Sequence, residues 1–385
     1  MRIMLVTLTL IATTIIGGCN SEPTVEPADL IFAGGAVFTS DPDQPNASAV
    51  AVRGERIAYV GNEAGIESFI GPNTRKIDIG DGLLISGLMD SHTHVFNGSF
   101  SDVGVNLSLA HTREKLQVAL EAIRDANPGS GPVYARGWQN HLFPKTGPTA
   151  QQLDEIFGDR IVILGSVDGH SRWFSSRALR EGGVDASYPD PHPGVSFFER
   201  DPLTNEPLGT GREKAGGHIE AEFIPGDKAA YRERFVNWLP RASASGLTGV
   251  FDAWAGAPSE EEAYEIWHSL SESGDLSLRV FASVRENDAA DRIAAQFKRF
   301  EQSYSSQLIR PEAIKLAADG VPEGHTAFLL TPYVDSTNED FGQPMISKAN
   351  LTANVTTYFS QDIPVHIHAI GGAAVRMSLD AIESA

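Results

Sequence analysis

Leu83-Leu84-Ile85-Ser86-Gly87-Leu88-Met89-Asp90-Ser91-His92-Thr93-His94 is the stretch on which the fold turns. It opens as a nearly continuous apolar run, the pattern of a strand buried on both faces, and closes on two histidines at i and i+2. Alternate residues of a strand point the same way, so both imidazoles face one side. Two neutral imidazoles aimed at one point supply half of a metal site. The competing reading is a polar strand end that binds nothing.

Upstream, residues 28–79 read as all-β. Residues 29–38 give two strands about the Gly34-Gly35 break, and residues 49–61 give a hairpin turning at Arg53-Gly54-Glu55-Arg56. Downstream, Thr112 caps a helix running to Ala126. From Tyr188 to Gly217 the chain is rich in Pro, Gly, Asp and Glu and reads as an elaborate loop, part of an insertion or lid at about 100–228. From Ala229 helices alternate with the strands 249–253, 278–284, 313–319 and 363–369, which means βα units and a parallel sheet.

The 385 residues suffice for one large domain and a smaller one, and 41% hydrophobic with 21% charged residues is a globular composition. Fifty acidic against thirty basic residues give a net charge of −20, which argues against nucleic acid and anionic membrane surfaces as partners. Residues 1–18 read as a signal peptide: Arg2 precedes an apolar run too short to span a bilayer comfortably. Gly17-Gly18-Cys19 resembles a bacterial lipobox, which would make Cys19, the sole cysteine, the site of lipidation. The expected location is therefore an exported protein held to a bacterial membrane only by acyl chains, at ~0.8 kcal/mol per buried methylene. Residues 19–27 would be a flexible tether. Ordinary cleavage with an incidental Cys19 is the alternative.

Three of the five strand ends carry metal-capable groups: His92 and His94, Lys315, and His366 with His368. In a parallel α/β barrel the strand C-termini open on one face, so these groups should converge. A buried lysine has a lowered pKa and, as a neutral amine, can add carbon dioxide to become a bridging carbamate. Pairing of Lys315 with Asp319 or another carboxylate is the structural alternative.

Asp90-Ser91-His92-Thr93-His94 after Gly87-Leu88 resembles the first-strand signature of the amidohydrolase superfamily. Arg136-Gly137-Trp138, Asp168-Gly169-His170, Ile314 to Gly320, Gly324-His325-Thr326-Ala327, Pro332-Tyr333 and His366 to Gly371 resemble its amidohydrolase-3 branch (YtcJ-like, N-substituted formamide deformylase-like). The resemblance implies an α/β fold: a metal-dependent hydrolase (β/α)8 TIM barrel over residues 83–385, with about five of eight strands present, flanked by a small β-sandwich of which residues 28–82 form the N-terminal part. It implies His92 and His94 on the more buried metal, carboxylated Lys315 as the bridge, and His368 on the second metal with His366 as a neighbour. Trp138 and His170 would belong to the substrate pocket. Two zinc ions suit such donors, and iron, manganese and cobalt fit them too. The implied reaction is hydrolysis of a non-peptide C–N bond in a small amide or formamide by metal-activated hydroxide, the pKa of water falling from about 16 to about 7.

The pattern departs from the family at Gly372, where an aspartate is usual, and at Ser86, which replaces a proline. It also lacks the later strands, so the general-base aspartate is expected beyond Ala385 and this chain is expected to be truncated and impaired. The alternative from another class is a non-catalytic metal-binding surface lipoprotein of the same fold. An ester or lactone substrate is the third reading.

Overall fold

A computed structural model of the chain describes residues 25–99, 106–224, 226, 228–256, 259–334, 336 and 339–385. The expected signal peptide, Cys19 and most of the expected tether lie outside them, as do parts of the expected lid. Among the described residues no helix is long and apolar enough to cross a membrane. The chain divides into two compact units, Met1–Gly87 and Leu88–Ala385.

The first unit is built on two small sheets. One orders Arg56–Gly61, Ala49–Arg53, Leu30–Ala33 and Arg75–Asp78; the other orders Asn46–Ala47, Ala36–Phe38 and Leu83–Leu84. The expected hairpin is present, with Arg53 opposite Arg56 and Val50 opposite Val60. Alanines and isoleucines make the core: Ala28, Ile31, Ala49, Ala51 and Ile66 pack with Tyr59 and Phe69.

The second unit holds two five-stranded sheets. The first is wholly parallel and its strands are numbered here: β1 (Leu88–Thr93), β2 (Leu247–Asp252), β3 (Arg279–Arg285), β4 (Ile309–Ala317) and β5 (Val365–His368), side by side in that order. Helices return the chain between them, and their starts follow from the sequence: the Ser259 and Ser347 hydroxyls accept from the Glu262 and Asn350 amides, satisfying donors the first turn leaves bare. Leu239, Tyr264, Trp267, Phe297, Val355 and Met377 from these helices cover Val250, Val280, Val284, Ile314 and Leu316.

One expectation fails at the opening stretch. It is shared between the units, Leu83–Leu84 pairing in the first and β1 in the second. β1 lies at an edge, paired with β2 alone, so Leu88 and Met89 are about half exposed (49% and 50%) rather than buried on both faces.

The second sheet lies where the sequence suggested an irregular insertion. Its order is Phe198–Arg200, Pro207–Arg212, Ser171–Phe174, Val162–Ser166 and Val133–Trp138, all antiparallel except the last pair. Two of these strands fall inside the expected Tyr188–Gly217 loop. Helix Arg113–Ala126, with Thr112 as its cap, packs Leu116, Leu120 and Ile123 on one side of this sheet. Phe174, Leu179 and Ile219 fill the other.

Candidate metal centre

The parallel sheet sets the site by register. Arg285, Lys315 and His366 lie opposite one another on β3, β4 and β5, and Ala317 lies opposite His368. Neighbouring residues of a parallel sheet project to the same face, so Lys315 and both histidines of β5 share it. At β1 the His92 and His94 ring centroids are 5.7 Å apart, edge to face, and the His92 ring lies 4.9 Å from that of His366. The strand-end histidines of β1 and β5 and the lysine of β4 are thus brought together, although the β1 histidines are more than 200 residues from the other two in sequence.

Two aspartates hold the frame. Asp252, fully buried, accepts from the Val95 and Trp254 amides, each at 3.0 Å, and burial pushes its carboxyl up to about 7. It therefore fixes the residue after His94 and also the Trp254 carbonyl that faces His94 Nδ1 at 3.4 Å. Asp319 accepts from the Phe328, Ile370 and Gly371 amides at 2.8–2.9 Å. Its oxygens are committed to backbone, so it is not the partner of Lys315.

Lys315 is half-buried and makes no ion pair or hydrogen bond with the described residues. Burial, and then the Arg285 guanidinium on the adjacent strand, lower its ammonium to about 8. The imidazoles answer to the same forces. Burial, Lys315 and the other histidines bring His366 down to about 4, and burial with Lys315 also lowers His92, His94 and His368. His94 Nδ1 faces the Trp254 carbonyl and His368 Nε2 faces the Gly320 carbonyl at 3.2 Å. Each of these nitrogens must carry the proton, which leaves the other with its lone pair, as in a metal ligand. The buried His366 Nδ1 has no partner among the described residues.

These donors fit a divalent cation in kind: the rings are held neutral, and free nitrogens and an unpaired amine stand among them. The set is short of anionic oxygen. Counting His, Cys, Asp and Glu alone, no three of the described side chains could hold one ion.

The expected pocket residues part company. Trp138 has no exposed surface; its indole N–H donates to the Leu164 carbonyl at 2.9 Å, and Phe143 and Trp173 pack on it edge to face. It is a core residue of the antiparallel sheet, a correction to the pocket reading. His170 does reach the site. Asp168 accepts from the His170 amide at 2.9 Å and from Asn140 at 2.7 Å, and Gly169 takes the left-handed conformation (φ 79°) that turns the chain. The His170 ring lies 5.6 Å from that of His368, and its Nδ1–H donates to Glu213 at 2.7 Å. Burial would lower the ring's pKa, but Glu213 outweighs it and the net direction is up. The sequence reading missed Glu213, and no local pattern marks it.

A model of the amidohydrolase family matches residues 75–385. The chain belongs to the amidohydrolase family, in its amidohydrolase-3 branch. It is 27% identical over 364 residues to the exoenzymes regulatory protein AepA of Pectobacterium carotovorum subsp. carotovorum, covering 92% of this chain and 76% of that one. It is 26% identical over 374 residues to the N-substituted formamide deformylase of Arthrobacter pascens, covering 92% and 66%. This amidohydrolase chain thus spans about two thirds to three quarters of those relatives' length. Its fold is similar to that of a crystal structure titled an uncharacterized metal-dependent hydrolase from Pyrococcus horikoshii OT3, with a TM-score of 0.65 at 20% identity over 92% of this chain and 68% of that one.

Proposed function

We propose that this amidohydrolase cleaves a non-peptide C–N bond in a small amide or formamide, with His92, His94, Lys315 and His368 holding divalent metal and His366 beside them. A half-buried lysine without a carboxylate, among imidazoles kept neutral, carries the reading. Unpaired buried charge is costly, and a chain retains it where a ligand compensates. An amine of lowered pKa can add carbon dioxide, and the carbamate so formed would supply the oxygen donors that the cluster lacks. Zinc is the proposed occupant, and His92, His94, His368 and the Lys315 carbamate would hold it. A bound divalent cation would polarise a carbonyl and acidify water.

The chain's own residues would do the rest. Asp252 and Asp319 fix the backbone behind His94 and His368, which would hold both rings in place for the metal. Arg285 lies over the Trp254 ring, its guanidinium carbon 3.9 Å from the centroid, and disfavours the charged form of Lys315. His170 offers a hydrogen-bonding edge to substrate.

The test is metal content and turnover of N-formyl and N-acyl amines by the metal-loaded chain. Stoichiometric metal that is lost in His92→Ala and His94→Ala, with turnover lost alongside, is the expected result. Wild-type metal and turnover in both variants would overturn the site. A second reading, a metal-binding protein without catalysis, is favoured by one observation: Asp252 and Asp319 are both spent on backbone amides, so neither is free as a base. Metal binding without turnover of amides, esters or lactones would select it. We further propose that Cys19 carries a lipid anchor. Cys19→Ser should then move the protein from the membrane to the soluble fraction, and unchanged fractionation would remove the anchor.

A further inference from the structure

We propose that Glu213 is a positioning residue, which holds the His170 ring by Nδ1 so that Nε2 meets the polar atoms of the scissile amide; the role rests on the hydrolase reading above. Glu213 follows strand Pro207–Arg212 and sits opposite His170, one step beyond the Ser171–Arg212 pair. The two residues are joined twice. The Glu213 amide donates to the His170 carbonyl at 2.7 Å, and His170 Nδ1–H donates to Glu213 Oε2 at 2.7 Å. The other carboxylate oxygen accepts the Thr326 hydroxyl at 2.7 Å, from the loop that follows β4.

Three features set this carboxylate apart from a surface ion pair. Its side chain is 7% exposed. Its backbone adopts φ 52°, a region costly to a residue with a Cβ and tolerated where the surroundings enforce it. Gly320 leaves the room it occupies, since a Cβ there would come within 2.3 Å of Glu213 Oε1. Gly320 is also the residue whose carbonyl faces His368 Nε2, so the carboxylate and a proposed ligand are referred to the same point of backbone.

The chemistry follows from which nitrogen is taken. With Nδ1 committed to a carboxylate, Nε2 is the atom left to the site, and it makes no hydrogen bond with the described residues. The ring borders that of His368 and retains some exposure, 31% of its side chain. Without the carboxylate the imidazole can flip or rotate, and its catalytic edge is lost more than its binding surface. An orienting partner of this kind is worth about 10- to 100-fold in activity.

The experiment compares Glu213→Gln, His170→Gln and the double variant of the full chain on a secondary N-alkylformamide. Metal content and thermal midpoint are measured alongside. Glu213→Gln should lower kcat about 10- to 100-fold, leave KM within about three-fold, and keep metal and melting near wild type. The double variant should cost no more than His170→Gln alone. Nitrogen-15 spectra should show His170 with the proton fixed on Nδ1 in the wild type and exchanging between nitrogens in Glu213→Gln. An unchanged kcat in Glu213→Gln, losses that multiply in the double variant, or an unchanged His170 spectrum would each overturn the proposal. Should Glu213→Gln fail to fold, Thr326→Val, which frees one anchor of the carboxylate, is judged by the same spectrum and kcat. A wild type that hydrolyses no C–N substrate would sink the hydrolase reading instead, and the spectrum then decides by itself whether Glu213 fixes the ring.

Discussion

The two five-stranded sheets of the larger unit treat buried charge in opposite ways. In the antiparallel sheet three such groups are matched. Arg212, 2% exposed at its side chain, reaches Glu199 at 2.8 Å, the Ser171 hydroxyl at 3.0 Å and the Lys145 carbonyl at 2.6 Å; Arg172 is paired with Glu220, and His170 with Glu213. At the C-terminal edge of the parallel sheet, Lys315 has no counter-ion among the described residues, and the His366 Nδ1 no partner. Satisfied charges hold strands in register, whereas unsatisfied ones are a cost the fold carries for a ligand.

The comparison is most exposed to Arg212→Ala. Removing one member of a buried pair strands the other, so urea unfolding should show a loss of about 3–5 kcal/mol. A loss under about 1 kcal/mol would mean that the antiparallel sheet does not depend on its pairs. Lys315→Met should do the reverse. With chelator present its stability should equal or exceed the wild type's by about 1 kcal/mol, since an unpaired ammonium gives way to an apolar side chain. Metal retention should meanwhile fall by at least about ten-fold. A destabilised Lys315→Met with full metal content would reverse the functional assignment of this residue.

The smallest effect is a slope with pH. His366 has a folded pKa of about 4, below its ordinary value of 6.5, so the unfolded chain binds more protons between them. The stability this group contributes is present above pH 6.5 and is lost as pH falls towards 4. Metal-free wild type should therefore weaken across that window more than His366→Gln does. Urea midpoints at pH 7 and pH 5 measure the difference, and parallel slopes would refute it.

The same contrast explains what the sequence disclosed. The βα rhythm after Ala229 was legible because each helix carries its own period and its own cap, at Ser259 and Ser347 for example, and the donors stand at strand ends, where a parallel sheet collects them. The antiparallel sheet was not legible. Its strands are three to six residues long, one begins at Pro207, and glycines at 209 and 211 interrupt the alternation by which a strand is recognised. Trp138 illustrates the limit for single residues: its motif places it near the chemistry, but only the Leu164 carbonyl and two aromatic neighbours reveal it as core. Glu213 lies 43 residues from His170, and that pairing exists only in three dimensions. Edge exposure of β1 was likewise hidden, because an apolar run does not say how many neighbours its strand has.

Asp319 ties two strand ends together. One carboxylate gathers amides from the chain after β4 and from the chain after β5, so the strand ends that bear Lys315 and His368 are riveted to a common point. Local fluctuations that open one of those amides must loosen all three, which makes the two strand ends a single cooperative unit of exchange with solvent. The separation between amine and imidazole is therefore a property of the rivet, tuned by neither side chain alone.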